Sequence, residues 1–134
     1  MPKKAKLVVP ILMLLLAGCQ ERDRLTFPDS GDGAGPVTTI DQPGQSDTTV
    51  PAGPEFFVNG RTIDLDGVDT VYFLVIGANQ NFQPFRPSGR TDTVRFGLPL
   101  STTGHARDTF TVQIHGVDSQ GNPGAPSIRN IFVR

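Results

Sequence analysis

The chain is poor in the residues that usually carry catalysis, redox chemistry or metal binding. Its 134 residues include no tryptophan, one cysteine and two histidines. A single cysteine excludes an internal disulfide bond. His105 and His115 have no neighbour at metal-ligand spacing, and no serine lies in a nucleophile motif such as G-x-S-x-G. The sequence therefore predicts a protein that is not an enzyme and that needs no cofactor.

Lysine is confined to the first six residues, at Lys3, Lys4 and Lys6. The whole chain has a formal net charge of −1. Without this segment, nine arginines stand against 13 acidic residues, which gives a net charge of −4. A mildly acidic chain without basic clusters disfavours nucleic acid and anionic lipid headgroups as the main partner.

The N-terminus has the order of a secretory signal peptide. A positively charged start over residues 1–6 precedes an apolar run over residues 7–17, which only Pro10 interrupts. A membrane-spanning helix needs about 20 apolar residues, whereas the core of a signal peptide needs about 7–15. The apolar run therefore predicts a signal peptide and not a spanning helix.

The end of this segment, Leu16-Ala17-Gly18-Cys19, resembles the lipobox of bacterial lipoprotein precursors. The resemblance implies that a signal peptidase recognises the first three residues and cuts before Cys19. Residues 1–18 are then the signal peptide, and Cys19 carries the lipid that holds the protein in the membrane. Two or three acyl chains on one residue anchor firmly, whereas a single chain holds only marginally. The alternative is an unmodified cysteine near an ordinary cleavage site.

Residues 19–36 are predicted to be a flexible tether, because they are rich in Gly, Asp, Ser and Pro and lack any sustained period. Such a tether has a mean reach of about 20–25 Å. Gln20 is not acidic, and the resemblance to lipoproteins therefore favours the outer membrane if the cell has two membranes. The predicted location is the cell envelope, with the face of the membrane left open.

From Val37 onward the dominant pattern is alternation of apolar and polar residues. Phe110, Val112 and Ile114 alternate with polar residues, as in a half-buried strand. Turn signals rich in Gly, Pro and Asn separate the alternating stretches. We expect an all-β fold: a single seven-stranded antiparallel β-sandwich over residues 37–134. The predicted strands lie within residues 37–40, 55–64, 68–77, 81–85, 91–100, 108–118 and 129–134.

Two of these stretches differ from simple alternation. Residues 68–77 are apolar on both faces, which predicts a central strand flanked by other elements. Residues 81–85 contain Pro84, which has no N–H to donate, and this strand is therefore placed at a sheet edge.

Four short motifs resemble those of bacterial immunoglobulin-like and fibronectin type III-like domains. The stretches at residues 40–43, 50–53, 64–67 and 118–122 read I-x-x-P, V-x-x-G, D-x-D-G and D-x-x-G-N, in that order. The resemblance covers residues 36–134 and implies an immunoglobulin-like sandwich. The chain lacks the Cys…Trp…Cys core of antibody domains, so its fold depends on the packing of Phe, Val and Ile.

Asp64, Asp66 and Asp69 lie within six residues, and calcium prefers several oxygen ligands from such a loop. However, no Glu occupies the twelfth position of an EF-hand loop. The D-x-D-G segment is also typical of a turn in which Asp accepts hydrogen bonds from backbone N–H groups. We favour the turn, and keep the three aspartates as calcium candidates only.

Alternating strand direction divides the connections between two ends of the predicted sandwich. The turns at 64–69, 86–90 and 118–126 fall at the end that the tether joins, and the connections at 41–54, 77–81 and 99–107 fall at the distal end. Binding loops cluster at strand ends. The candidate contact residues at the distal end are Gly77, Asn79, Asn81, His105 and Arg107.

These patterns favour a membrane-anchored, non-catalytic envelope module that contacts a protein or a surface. The alternative is a small lipoprotein that binds a glycan or other ligand through exposed aromatic residues on one sheet face. Phe57, Tyr72 and Phe132 are the candidates for that row. An enzyme would instead need a deep cleft near His105 or Asp64.

The lipid anchor leads to a direct prediction. When cells are grown with a labelled fatty acid, the wild-type chain should incorporate label and Cys19→Ala should not, because the thiol is the only attachment point. Label is measured on the purified chain. Equal label in both chains would refute the lipobox interpretation.

Overall fold

The computed structural model describes residues 31–134, which form seven β-strands in two sheets. The predicted signal peptide, Cys19 and the first part of the tether lie outside the described residues. Within 31–134, no helix is long and apolar enough to cross a membrane. The strands are β1 Val37–Gln42, β2 Asp47–Val50, β3 Glu55–Ile63, β4 Val68–Ile76, β5 Thr93–Ser101, β6 Thr109–Asp118 and β7 Ser127–Val133.

The two sheets are mixed in direction. One sheet has three antiparallel strands in the order β1-β3-β5, and the other has four strands in the order β2-β7-β6-β4. In the second sheet β2 runs parallel to β7, while the other neighbours are antiparallel. The all-β fold with seven strands in two sheets is confirmed, but the prediction of a purely antiparallel sandwich was wrong.

The seven strands are not the seven that the sequence predicted. Residues 81–85 do not form a strand: only Phe85 pairs there, in an isolated bridge with Val71. The strand that was missed is β2, a short polar stretch, DTTV, with only Val50 buried. Because β1 and β5 both run antiparallel to β3, and β4 and β7 both run antiparallel to β6, the predicted alternation of strand direction is kept within each sheet.

β4 lies at the edge of the four-stranded sheet, beyond β6. The prediction that it is a central strand was therefore wrong. From Val71 onward its odd-numbered side chains face the interior, and Val71 is fully buried. The apolar side chains of Tyr72, Leu74 and Ile76 face outward and are exposed, and no described element covers them.

The chain passes from one sheet to the other between β1 and β2. At this crossover Arg129 of β7 reaches inward, and its guanidinium donates to the carbonyl oxygens of Ile40 and Pro43, each at 2.8 Å. These carbonyls would otherwise face a partly buried region without partners, at a cost of about 1–3 kcal/mol each. Arg129 therefore fixes the point at which the first strand leaves the three-stranded sheet.

The core lies between the sheets and consists of aliphatic side chains and phenylalanines. On β6 the side chains of Phe110, Val112 and Ile114 are fully buried, as their alternation predicted. Phe73 and Phe96 meet edge to face across the two sheets, with ring centroids 5.7 Å apart. Each fully buried large apolar side chain contributes about 1.5–3 kcal/mol. The remaining buried apolar residues are Ile40, Val50, Val58, Val68, Val71, Ala78, Val94, Leu98, Leu100, Ile131 and Val133.

The last residues of the predicted tether lie against the sandwich. The N–H of Asp32 donates to the carboxylate of Asp66 at 2.9 Å. A Cβ added at Gly35 would overlap the backbone of Pro123, and one added at Gly124 would overlap the backbone of Pro36. Residues 31–36, the end of the predicted flexible tether, therefore pack closely on the β6–β7 turn through small residues.

That turn is organised around Asp118, which is buried. Its carboxylate accepts hydrogen bonds from the N–H of Gln120 at 2.8 Å, and from the N–H and the side-chain Nδ2 of Asn122, both at 2.7 Å. Burial opposes ionisation, but these hydrogen bonds outweigh it and lower the pKa of Asp118. The ionised carboxylate therefore stabilises the folded turn.

Replacing Asp118 with Asn should destabilise the fold in a pH-dependent way. A carboxylate with a lowered folded pKa stabilises fully above its unfolded pKa of about 3.9, and this stability is lost as the pH falls through the folded pKa. We expect Asp118→Asn to lower the free energy of unfolding by about 1–3 kcal/mol at neutral pH. The difference from wild type should shrink in strong acid.

The measurement is urea unfolding of both chains at about pH 7, 4 and 2.5. Asp92→Asn, which changes an exposed carboxylate near the same end, is the matched control. A stability difference that is equally large at all three pH values would contradict the role assigned to the ionised form.

Candidate functional site

The outer surface of the four-stranded sheet carries a group of exposed apolar side chains. Tyr72, Leu74 and Ile76 of β4 are 37, 52 and 52% exposed, and Ile128 and Phe132 of β7 are each 43% exposed. We call the outer surface of this sheet, which carries these five residues, the four-strand face. Large exposed apolar patches often mark interaction sites. Here polar side chains of β6 separate the apolar side chains of β4 from those of β7.

The strand register shows how the five residues are arranged. Leu74, Gln113 and Ile128 lie in one row across β4, β6 and β7. The next row contains Ile76, Thr111 and Asn130. Because neighbouring strands lie about 4.8 Å apart, Leu74 and Ile128 are only about 10 Å from each other. The face thus combines apolar side chains with uncharged polar ones in adjacent rows.

Several polar side chains of the face are hydrogen-bonded to one another. Thr111 Oγ1 donates to Asn130 Oδ1 at 3.1 Å, and Asn130 Nδ2 donates to Asp47 Oδ1 at 3.0 Å. Tyr72 stacks on His115, with ring centroids 5.2 Å apart and an interplanar angle of 13°. These contacts hold the side chains in defined positions on the surface.

The three aromatic residues named for a glycan-binding row do not lie together. Tyr72 and Phe132 are on the four-strand face, whereas Phe57 is on β3, in the other sheet, where it is 49% exposed. Tyr72 pairs with His115 of β6 and Phe132 pairs with Thr109 of β6. Since His115 and Thr109 are six residues apart, Tyr72 and Phe132 are separated by about 20 Å along the strand direction. A single row formed by all three is therefore excluded.

The distal loops meet at the end of the sandwich away from residues 31–36. The side-chain amide of Gln80 exchanges two hydrogen bonds with the backbone of Ser101, and the N–H of Arg107 donates to the carbonyl of Val133 at 2.8 Å. Gly77 has φ +92°, and a Cβ there would overlap the carbonyl oxygen of Thr109. The structure thus places both predicted segments next to the ends of β6 and β7.

Two of the predicted contact residues adopt left-handed backbone conformations. Asn79 has φ 50° and Arg107 has φ 75°, and they are the two non-glycine residues with positive φ between 31 and 134. Asn81 is exposed in the same segment as Asn79. A left-handed conformation is unfavourable for a residue such as arginine and persists only where surrounding structure holds it. The distal loops are therefore well-defined surfaces.

His105 is held by its own loop. Its Nδ1 lies 2.8 Å from a carboxylate oxygen of Asp108, and its ring meets Phe110 edge to face at 5.0 Å. Phe110 belongs to the core, so the imidazole closes the distal end of the sandwich. These contacts give His105 a structural role at this end.

The three aspartates considered for calcium face different partners. Asp64 accepts the N–H of Asp66 at 2.7 Å, Asp66 accepts the N–H of Asp32, and Asp69 accepts the hydroxyl of Thr70 at 2.6 Å. Across 31–134, no group of three His, Cys, Asp or Glu residues is arranged to hold a metal ion. The geometry is that of a turn.

The pKa of Asp64 is raised, first by burial and then by the neighbouring carboxylates of Asp118, Asp66 and Asp32, against the hydrogen bond from Asp66. Its effect on stability is opposite in sign to that of Asp118. The raised folded pKa favours the protonated form, so its stabilising contribution is present in acid and is lost as the pH rises.

Two grooves that sequence reasoning missed lie beside β5. One has a volume of about 420 Å³ and lies between residues 85–91 and the start of β5. The other, about 360 Å³, lies between residues 82–85 and the remainder of β5. Phe85 and Arg95 line both grooves. The Pro-rich segment that lines them opposite β5, FQPFRPSGR, is the available sequence signal, but its pattern predicts a strand and a turn instead of a groove.

No protein-family model matches the chain, and no curated protein matches it. Solved structures do show similarity of fold. The SrpA adhesin from Streptococcus sanguinis aligns with a TM-score of 0.53 at 19% identity, over 78% of this chain and 59% of that one. A mutant of the same adhesin aligns with a TM-score of 0.52 at 21% identity, over 77% and 57% of the two chains.

A third structure, the sialic acid binding region of the Streptococcus sanguinis SK1 adhesin bound to 3'sLn, aligns with a TM-score of 0.50 at 13% identity. The alignment covers 75% of this chain and 29% of that one. The chain thus spans 57–59% of the length of the two SrpA structures. At these identities the likeness establishes a shared β-sandwich fold between this chain and domains of surface adhesins.

Proposed function

We propose that the chain is a membrane-anchored, non-catalytic lipoprotein of the cell envelope, whose sandwich binds another protein through the four-strand face. The observation that carries the proposal is the exposure of five large apolar side chains on one face of a small, net-acidic domain. Burying apolar surface in a complex contributes roughly 25 cal/mol per Å², which makes such a face a natural contact surface.

The position of β4 supports this surface further. As an edge strand it holds Tyr72, Leu74 and Ile76 on the outer face, where a partner can reach them from above and from the side. At their distal end, Ile76 and Phe132 adjoin the loops that contain Gly77 and Arg107. In this proposal a partner contacts the face first and the distal loops second.

The anchor in this proposal is the lipid on Cys19, which the lipobox resemblance implies. Residues 20–30 then separate the membrane from the first described residue, Gly31. Eleven residues at full extension span up to about 40 Å. Residues 31–36 contact the β3–β4 and β6–β7 turns. In this proposal that end of the sandwich is therefore nearest the membrane, and the distal loops point away from it.

We also propose that the sandwich is immunoglobulin-like. Support comes from the first strand, which divides between the two sheets as β1 and β2, and from the motif resemblance over residues 36–134. The likeness to adhesin domains is consistent with this class of fold.

Glycan binding is the second candidate function. It is favoured by one observation in this chain, the stacked and partly exposed pair of Tyr72 and His115, since sugars pack on flat ring surfaces. A structurally similar adhesin region is described as sialic acid binding. The separation of Phe57 from Tyr72 and Phe132 leaves only a small aromatic platform, and we therefore place protein binding first.

Site-specific photocrosslinking tests the proposed face. The photoreactive residue p-benzoylphenylalanine replaces Leu74 on the four-strand face, Asn81 in the distal loops, or Leu65, which is 83% exposed in the β3–β4 turn. The full chain is produced in its own envelope and irradiated. We expect discrete covalent adducts from position 74 at several times the yield from position 65.

Leu65 is the matched control, because it is an exposed leucine outside the face. Adducts from position 81 without adducts from position 74 would move the contact to the distal loops. Equal yields from positions 74 and 65 would refute a specific contact through the four-strand face.

A further inference from the structure

One long edge of β5 is not paired with another strand. β5 pairs with β3 along one side, over all nine of its residues. On the other side, the backbone of Ser101 and of Thr93 is paired with side chains only. Gln80 exchanges two hydrogen bonds with the N–H and C=O of Ser101, and the hydroxyl of Thr91 contacts the N–H and C=O of Thr93. At the two ends of this edge, side chains thus make the hydrogen bonds that a neighbouring strand would otherwise make.

The middle of the same edge is open. Since alternate residues of a strand point their backbone groups to the same side, Arg95, Gly97 and Pro99 face the same way as Thr93 and Ser101. The outward N–H groups of Arg95 and Gly97 have no hydrogen-bond partner within 31–134. We call this stretch, Arg95 to Pro99, the open edge.

The open edge lies beside both grooves described above. The groove of about 360 Å³ is lined by Phe73, Phe82, Phe85 and Phe96 together with residues of the open edge. An extended peptide in this groove would pair its backbone with β5 and place alternate side chains among the phenylalanines. Main-chain pairing with a sheet edge and side-chain pockets beside it are the two requirements for recognition of an extended peptide.

The charge beside the open edge is positive, although residues 31–134 carry ten acidic residues against seven arginines. The guanidinium of Arg95 makes no hydrogen bond or ion pair within the described chain, whereas Arg61, its neighbour on β3, pairs with Asp41 at 3.2 Å. Arg90 lines one of the same grooves. An unpaired arginine at a groove favours a carboxylate as its partner.

We propose that the open edge binds an extended acidic peptide segment of a partner protein. The peptide adds a strand to β5, accepts hydrogen bonds from the N–H groups of Arg95 and Gly97, and places an Asp or Glu side chain on the guanidinium of Arg95. The edge between the two capped ends is about 26 Å long, which accommodates about seven extended residues. This inference concerns a different surface from the four-strand face and goes beyond the proposed function.

The test is selection from a phage-displayed library of random heptapeptides on the full-length chain, kept in a mild detergent. We expect the selected peptides to share an Asp or Glu among alternating apolar residues. The best peptide is then synthesised, and its affinity is measured by isothermal titration calorimetry for wild type and three variants.

Arg95→Gln should weaken the binding of this peptide by about tenfold, because a charge-assisted hydrogen bond is lost. Arg61→Gln is the matched control on the neighbouring strand and should bind as wild type does. Gly97→Pro removes one outward N–H without removing a bond to β3, and should also weaken binding. Circular dichroism melting checks that each variant is folded.

Three results would overturn the inference. The first is a selection without enriched peptides. The second is a set of peptides that bind wild type, Arg95→Gln and Gly97→Pro equally. The third is binding of N-acetylneuraminic acid, titrated separately, that depends on Arg95 while no peptide binds. Crosslinking from Leu74 depends on neither Arg95 nor Gly97, so the two proposals fail independently.

Discussion

The crossover of the first strand, held by Arg129, is the constraint on which the rest of the sandwich depends. The guanidinium binds the carbonyls of Ile40 and Pro43 where the chain leaves one sheet, and this position allows β2 to pair with β7 in the other. One side of the sandwich is therefore closed by two consecutive strands, β1 in one sheet and β2 in the other. The opposite side has no equivalent, because residues 77–92 connect β4 to β5 with one bridge at Phe85 instead of a strand. Both β4 and β5 consequently remain edge strands, and the surfaces proposed for binding adjoin these two strands.

This difference between the two sides of the sandwich leaves the edges of β4 and β5 exposed. An edge strand with apolar residues on its outer face is a hazard for aggregation unless something limits or uses it. β5 carries Arg95 and Pro99 on its edge, and its ends are capped by Thr91 and Gln80. The outward side chains of β4 from Tyr72 to Ile76 include no charged residue. The domain therefore offers two chemically different surfaces, one apolar and one that combines an arginine with aromatic grooves.

The sequence predicted the strands that contribute many residues to the core and missed the strand that contributes only one. Period-2 alternation located β3, β5 and β6, because every second residue there is buried. β2 has one buried residue and leaves no such period. The sequence pattern of β4 is apolar on both faces, and hydrophobicity alone does not distinguish a strand that its own chain covers from an edge strand with an exposed outer face. The sequence also predicted the division of the loops between two ends, because this division follows from strand direction.

A single sequence does not determine which strands share a sheet. The sequence therefore could not predict the separation of Phe57 from Tyr72 or the grooves beside β5.

The most direct measurement of the central claim is hydroxyl-radical footprinting of the chain, once isolated and once anchored in its own envelope. The oxidation of Tyr72, Leu74 and Phe132, read by mass spectrometry, reports the four-strand face, and Phe57 reports the opposite sheet at similar exposure. If the face binds a partner, oxidation of the first three residues falls several-fold in the envelope while that of Phe57 stays the same. Unchanged oxidation of the three residues, or an equal fall at Phe57, would contradict the account.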